Sequence, residues 1–504
     1  MRIIRWSAAL GAALSTLHPA YSQDVTLTAL DGGIVLSGQL QGFDGEFYRV
    51  DTSYGLLTID GQGVICDGTG CPDMTSQIAV VRIIGAPEAG IALLPPLFAS
   101  FAASRGLGYA PVAGSRFVAK ITDPATGNPL AEFSFEATPP DTARAALTSG
   151  RAELAIAVAP EPDFGHRTLA LDAAVPIVSP GNPTPQISAL DLVLALAGKV
   201  QNWRDVGGPD MPLVVHALSP EMDNQSALAA PLGQPISTGA ILHPDQATLA
   251  AAVARDPWAL AITGRALQGQ AKALTLTDSC GFPMLPTPLA VKAEDYPLSL
   301  PIFLLTPRRR LPLFAREFLD FLATPAAQNA IRNAGFIDRG VERQALVADG
   351  YRLINAIRGA GDDVTMADLK RLAIGMAGAE RVSLTFRFED GSSRLDAQSA
   401  DNLTDLARLL ETGAFQGQAL VFAGFSDGSG TAQANLDLAH ARAATVADAL
   451  RSAAPDLDDA VIPSVDAFGE SLPMACDTTA AGRRLNRRVE LWAKPLLLID
   501  TPAP

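Results

Sequence analysis

From residue 25 to residue 73 apolar and polar positions alternate. Val25, Leu27, Leu30, Ile34, Leu36 and Leu40, then Phe47, Tyr48, Val50, Leu56 and Ile59, are separated by polar residues and interrupted by Asp-Gly, Gly-Gly and Tyr-Gly turns. A period of two predicts a small antiparallel β unit. So short a meander buries little apolar surface, so a covalent clasp or a neighbouring domain should support it. Between residues 77 and 338 the texture changes to short apolar runs at 78–84 and 154–158, interleaved with helical spacing at 89–105, 190–196, 247–254, 313–321 and 326–334. Strands alternating with helices predict an α/β sheet covered on both faces, and this length suits two lobes around a cleft better than one.

Residues 340–379 are charged and alanine-rich, with helical spacing at Leu346, Tyr351, Leu353, Ile354 and Ile357, and read as a partly helical connector. Beyond it come a strand (Val382, Leu384, Phe386, Phe388), a helix (Leu403, Leu406, Leu409, Leu410), a strand at 420–425, a helix at 436–450, and strands at 462–468 and 488–492. The expected fold class is multi-domain α/β and α+β. Its parts are a leader at 1–22, a small β domain at 23–75, a two-lobed α/β domain at 76–340, the connector at 341–379, a compact βαβαββ domain at 380–495 and a tail at 496–504.

The leader reading rests on Arg2 and Arg5, a short apolar run from Ala8 to Leu14, and small residues at Ala20 and Ser22. That order is the pattern of a cleaved secretory signal, and polar Ser7, Ser15, Thr16 and His18 interrupt it too often for a membrane anchor. No cysteine follows the cleavage point, so a lipid anchor there is not expected, and no later stretch predicts a transmembrane span. A formal charge of -15 argues against a nucleic-acid partner or a broad anionic surface, because both repel an acidic chain; any anion site must be local. Of four cysteines, Cys66 and Cys71 bracket the turn-forming Asp67-Gly68-Thr69-Gly70 and are expected to form a disulfide in an oxidising compartment. Pairing of the distant Cys280 and Cys476 stays open. The five histidines form no metal-ligand repeat, and neither a nucleophile elbow nor a phosphate loop occurs; no cofactor, metal or catalytic residue is expected.

Chemistry concentrates near the C-terminus. Gly424-Phe425-Ser426-Asp427-Gly428-Ser429-Gly430 closes a strand with a glycine-rich turn carrying a carboxylate; Asn435 and Arg442 follow on the next helix, and Gly482-Arg483-Arg484-Leu485-Asn486-Arg487-Arg488-Val489-Glu490 enters the last strand. With Arg442 fifteen positions after Asp427, this constellation resembles the OmpA-like peptidoglycan-binding domain over essentially residues 382–494. Phe425 and Ser426 stand where that family often has His and Thr, and Ala439 where it often has Ser. A zwitterionic amino acid such as diaminopimelate requires an anion for its ammonium and a planar donor fork for its carboxylate. The resemblance implies that Asp427 takes the ammonium and Arg442 the carboxylate, with Asn435, Asn486 and Arg487 as supporting donors and acceptors.

In the middle region, Val178-Ser179-Pro180-Gly181-Asn182-Pro183, Asn202-Trp203-Arg204-Asp205-Val206-Gly207-Gly208, Tyr296-Pro297-Leu298, and the segment 321–328 with Gly335-Phe336 resemble the phosphate-binding proteins of ABC transporters. Phosphate sites use helix N-termini, small hydroxyls and an arginine. Here the first loop offers Pro87 and Glu88, the second Ala159-Pro160-Glu161-Pro162, and the third Ser219-Pro220-Glu221-Met222-Asp223, so phosphate is disfavoured as the ligand. Gly85, Ser219 and Ser226 are the candidate solute-binding positions. The functional expectation is a non-enzymatic periplasmic protein, held to peptidoglycan at the outer-membrane side of the cell, with a module for a small solute. The alternatives are a structural tether with a degenerate solute fold and, least favoured, a wall-acting enzyme.

Overall fold

The structure, a computed structural model, describes residues 24–30, 32–43, 47–72, 78–114, 116–219, 235–348, 350–358, 364–389 and 392–496. The leader, Ser226 and residues 497–504 of the tail lie outside these. The chain divides into two units, one of residues 1–79 with 312–314, the other of the remainder.

The alternating N-terminal pattern forms five strands, β1 (Asp24–Ala29), β2 (Val35–Phe43), β3 (Phe47–Thr52), β4 (Gly55–Asp60) and β5 (Val64–Asp67), in an antiparallel sheet of order β4-β3-β2-β1-β5. Among the described residues its buried core is Val25, Leu27, Tyr48 and Val50, with the Cys66–Cys71 disulfide packed against them. The covalent clasp compensates for so small a core.

The second unit begins with β6 (Ala79–Gly85) and α1 (Pro87–Ser104), then a meander β7 (Gly108–Val112), β8 (Phe117–Thr122), β9 (Pro129–Ala137), then α2 (Pro140–Ser149) and β10 (Leu154–Ala157). β11 (Gly165–Val178) leads to β12 (Gln186–Ser188), α3 (Ala189–Leu196), β13 (Val214–Leu218), β14 (Ile241–His243), α4 (Gln246–Arg255), β15 (Ala259–Gly264) and three short strands, β16 (Lys272–Ala273), β17 (Thr275–Thr277) and β18 (Pro283–Met284). After α5 (Pro288–Lys292), β19 (Ser299–Thr306), α6 (Leu313–Phe321) and α7 (Pro325–Asn333) complete the domain. The main sheet runs β14-β13-β15-β11-β19-β10-β6-β9-β8-β7. Fourteen-residue β11 serves two lobes: Gly165 to Ala173 pair with β19, whereas Ala174 to Ile177 pair with β15. The chain crosses back between Leu298 and Ser299, so two adjacent strand segments form the connection between lobes.

The C-terminal domain is a second sheet of order β20-β21-β24-β22-β23, formed by β20 (Arg343–Ala345), β21 (Glu380–Phe386), β22 (Gln418–Phe425), β23 (Ser464–Gly469) and β24 (Arg488–Pro495). On one face α10 (Ala397–Glu411) and α11 (Ala432–Ala453) cover Phe386, Phe422, Val489 and Leu491. The segment read as a connector covers the other face. Its α8 (Gly350–Arg358) and α9 (Met366–Gly375) place Ala356, Leu372 and Met376 over Val421, Ala423, Phe425 and Trp492. Alternate residues of one strand thus enter two cores, as the two-residue pleat requires. A further helix, α12 (Ala480–Asn486), occupies residues read from sequence as entering the last strand; the Thr479 side chain caps it by accepting from the Gly482 N–H at 3.0 Å.

Candidate functional site

β22 delivers the chain to the turn 426–431, and Thr431 caps α11 through the Ala434 N–H. Helix and strand approach so closely that a Cβ on Gly424 would lie 2.1 Å from the Ala439 carbonyl oxygen. This contact leaves no room for side chains at 424, and it brings the helix face carrying Asn435, Ala439 and Arg442 over the turn. Asp427 is buried, accepts from the Ser429 N–H at 3.0 Å, and pairs with Arg487 Nη1 at 3.0 Å. Burial opposes its charge, but the Arg487 and Ser429 hydrogen bonds outweigh it and hold the carboxyl below its ordinary value. Burial, then the neighbouring Arg487, lowers the Arg442 guanidinium, partly offset by Asp427. Nη1 of Arg442, Nδ2 of Asn435 and Oγ of Ser426 are buried without a hydrogen-bond partner among the described residues.

Asn486 has a different place from the one expected. Its Oδ1 accepts from the Met474 and Ala475 N–H groups at 2.6 and 3.0 Å, and its Nδ2 donates to the Ala475 carbonyl and to Asp477 at 2.7 and 2.5 Å. With all its amide atoms engaged, it organises the 474–477 loop rather than the pocket. Asp477, which the sequence reading passed over, also accepts from the Gly428 N–H at 2.7 Å and so ties that loop to the Asp427 turn.

This loop is anchored to the middle domain. Cys476 is disulfide-bonded to Cys280, its N–H donates to Asp278 at 2.7 Å, and Ser279 and Thr478 hydroxyls lie 2.6 Å apart. Deeper in the junction, Asp295 of the middle domain pairs with Arg381 at 2.5 Å and Arg387 at 3.2 Å. Behind them Glu490 is fully buried among Arg352 and Arg488, each at 2.7 Å, and accepts from the Trp492 indole at 2.9 Å. Burial works against its charge, yet Arg352, Arg381 and Arg488 hold it far below the carboxylate range.

The candidate solute positions do not converge. Gly85 ends β6 at φ 117, where an added Cβ would meet the Ile156 carbonyl oxygen at 2.0 Å, so strand packing accounts for this glycine. Ser219 follows β13 in the other lobe and donates to the His243 carbonyl at 3.3 Å; Ser226 is outside the described residues. Between the lobes, Glu88 of α1 reaches the first turn of α4, accepting from the Gln246 N–H at 2.9 Å and from its side-chain amide. The chain's own carboxylate therefore lies where a helix N-terminus could receive an anion. The cleft around it is small, about 50 Å³, and is lined by Glu88, Asp172 and Gln246 among others. Burial pushes the Asp172 carboxyl up to about 7. In the same lobe His216 and His243 stack at 5.2 Å with ring nitrogens 3.0 Å apart, and Asp256 lies 3.2 Å from His216. Among the described residues no group of three or more metal-ligating side chains could hold an ion.

Fold and site together define a chain built of two binding-type domains. Residues 387–487 match the model of the OmpA family, and residues 118–326 match that of a PBP superfamily domain. The C-terminal part is 31% identical over 109 residues to "Probable lipoprotein YiaD" of Escherichia coli (strain K12), covering 22% of this chain and 48% of that protein. The chain thus spans about half the length of the curated relative it matches. An ABC-type phosphate transport receptor from Vibrio cholerae is similar in structure at 17% identity and a TM-score of 0.40, covering 51% of this chain and 99% of that one. The peptidoglycan-associated lipoprotein from Burkholderia pseudomallei is similar at 25% identity and a TM-score of 0.20, covering 22% and 89% respectively.

Proposed function

We propose that this chain is a non-enzymatic periplasmic protein that grips peptidoglycan through its C-terminal domain, residues 380–495, at the outer-membrane side of the cell. Asp427 receives the ammonium of a diaminopimelate and Arg442 its carboxylate, with Asn435 and Arg487 completing the shell. The match to the OmpA family supports this reading, and one observation carries it: the ionised Asp427 carboxylate acts electrostatically on the Arg442 guanidinium, whose Nη1 is a buried donor with no hydrogen-bond partner among the described residues. An unmatched buried donor is costly unless a ligand supplies its acceptor. Asp427→Ala and Arg442→Ala, singly and together, should reduce cosedimentation with purified sacculi by tenfold or more, roughly the worth of a charge-assisted hydrogen bond. Unchanged sedimentation of the double variant, with its fold intact by circular dichroism, would defeat the reading.

For the middle domain the proposed role is a small-solute module in which phosphate is not the ligand. Glu88 and Asp172 present carboxyls to the cleft, which favours a neutral or cationic solute over an anion. Millimolar phosphate should leave the melting temperature unchanged, since only native-state binding raises it. The alternative, a degenerate fold serving as a spacer, predicts no stabilisation by any small molecule.

A further inference from the structure

The pocket behind Arg442 does not end within the C-terminal domain. A cavity of about 110 Å³ is lined by Arg387, Arg442, Arg484 and Arg487 with Glu389. It adjoins a groove of about 780 Å³ with which it shares Arg387, Arg484 and Arg487. One wall of that groove is α12, adding Arg483; the opposite wall belongs to the middle domain, at Glu294, Tyr296, Pro297 and Ser299. Five guanidiniums against two carboxylates thus converge in a chain whose formal charge is -15. Field from like charges gathered in a cleft selects an anion.

The guanidiniums are not equally engaged. Arg387 is buried and joined to Asp295 and to the Leu485 and Glu294 carbonyls, so it holds the two domains together. Arg483 donates to the Asp477 carbonyl at 2.7 Å, and Arg487 to Asp427. Arg484 is exposed and makes no side-chain hydrogen bond or ion pair among the described residues. The carboxyl of Glu294, raised to about 7 by burial and by Asp396, offers reduced opposition to an incoming anion.

Resting on the wall-binding reading above, we propose that this inter-domain groove receives the acidic peptide flanking the diamino acid, with Arg484 pairing its carboxylates and the Tyr296–Ser299 segment forming the opposite wall. Recognition of the wall is then shared by two domains, which explains a disulfide and a buried ion cluster at this junction: both keep the groove walls in register.

The test compares two probes by calorimetry on the full chain, free diaminopimelate and the tripeptide L-Ala-γ-D-Glu-diaminopimelate. The parent should bind the tripeptide about tenfold more tightly than the free amino acid. Arg484→Glu and, on the other domain, Pro297→Glu should each erase that gain, Pro297→Glu leaving the free amino acid's affinity unchanged, whereas Asp427→Ala should abolish binding of both. If Arg484→Glu or Pro297→Glu keeps the full gain while Asp427→Ala still abolishes binding, the shared groove is wrong and the wall-binding pocket stands. If Asp427→Ala binds both probes as the parent does, the pocket reading falls and this proposal with it.

Discussion

Burial pushes the Asp172 carboxyl up to about 7, so the folded chain retains a proton there that the unfolded chain releases near 3.8. Asp172 therefore costs stability progressively as pH rises from about 4 to about 7, by at most about 1.4 kcal/mol per pH unit. His243 acts in the opposite sense. Burial, then the facing His216, holds it below its ordinary 6.5, so the unfolded chain protonates first and stability is lost as pH falls through that value. Melting midpoints across pH 4 to 8 should separate the two. Asp172→Asn flattens the decline on going from pH 4 to 7, and His243→Gln removes the decline below 6.5. An Asp172→Asn profile parallel to the parent's would mean that the native carboxyl is already ionised.

At the scale of elements, the first turns of α1 and α4 are joined across the lobes by Glu88 and Gln246. Glu88→Ala removes a charged acceptor from a helix N-terminus, at a cost of about 1–3 kcal/mol in denaturant unfolding. Amide exchange in the first turn of α4 should accelerate more than elsewhere in that helix; uniform exchange would place the effect in the unfolded state. α8 and α9 make a second prediction about boundaries. Leu372 and Met376 shield Val421, Phe425 and Trp492, so a fragment beginning at residue 380 exposes a sheet face. It should be less soluble than one beginning at 341 and should bind a hydrophobic dye, which the longer fragment excludes.

Across the whole second unit, the C-terminal domain contacts both lobes of the middle domain. On the first lobe, Asp401 accepts from the Thr168 N–H at 2.7 Å and Asp405 pairs with Arg339. On the second, Cys280, Asp278 and Asp295 hold Cys476, Arg381 and Arg387. Hinge closure of the lobes would have to strain these joints. Cys280→Ser with Cys476→Ser should lower stability by about 2–4 kcal/mol, because that disulfide closes a very long loop in the unfolded chain. Small-angle scattering of the variant should show a larger radius of gyration if the joints also fail. An unchanged radius would assign the junction's geometry to the buried ion pairs alone.

The local record in the chain determined the order and type of most elements. Alternation gave the N-terminal sheet, apolar runs between helical spacings gave the two-lobed domain, and the Asp427, Asn435 and Arg442 spacing could be read because a turn and one helix carry all three. α12 was missed because Arg483-Arg484-Leu485-Asn486 is too short a stretch for helical periodicity to register, and the residues assigned to the connector carry no sign of the sheet face they cover. Which arginines share a groove, that Asn486 serves a loop, and that Cys280 meets Cys476 depend on contacts between residues up to 196 apart in sequence. Such contacts are decided by packing and by the pairing of buried charge, which act on distances in space, and no local periodicity records them.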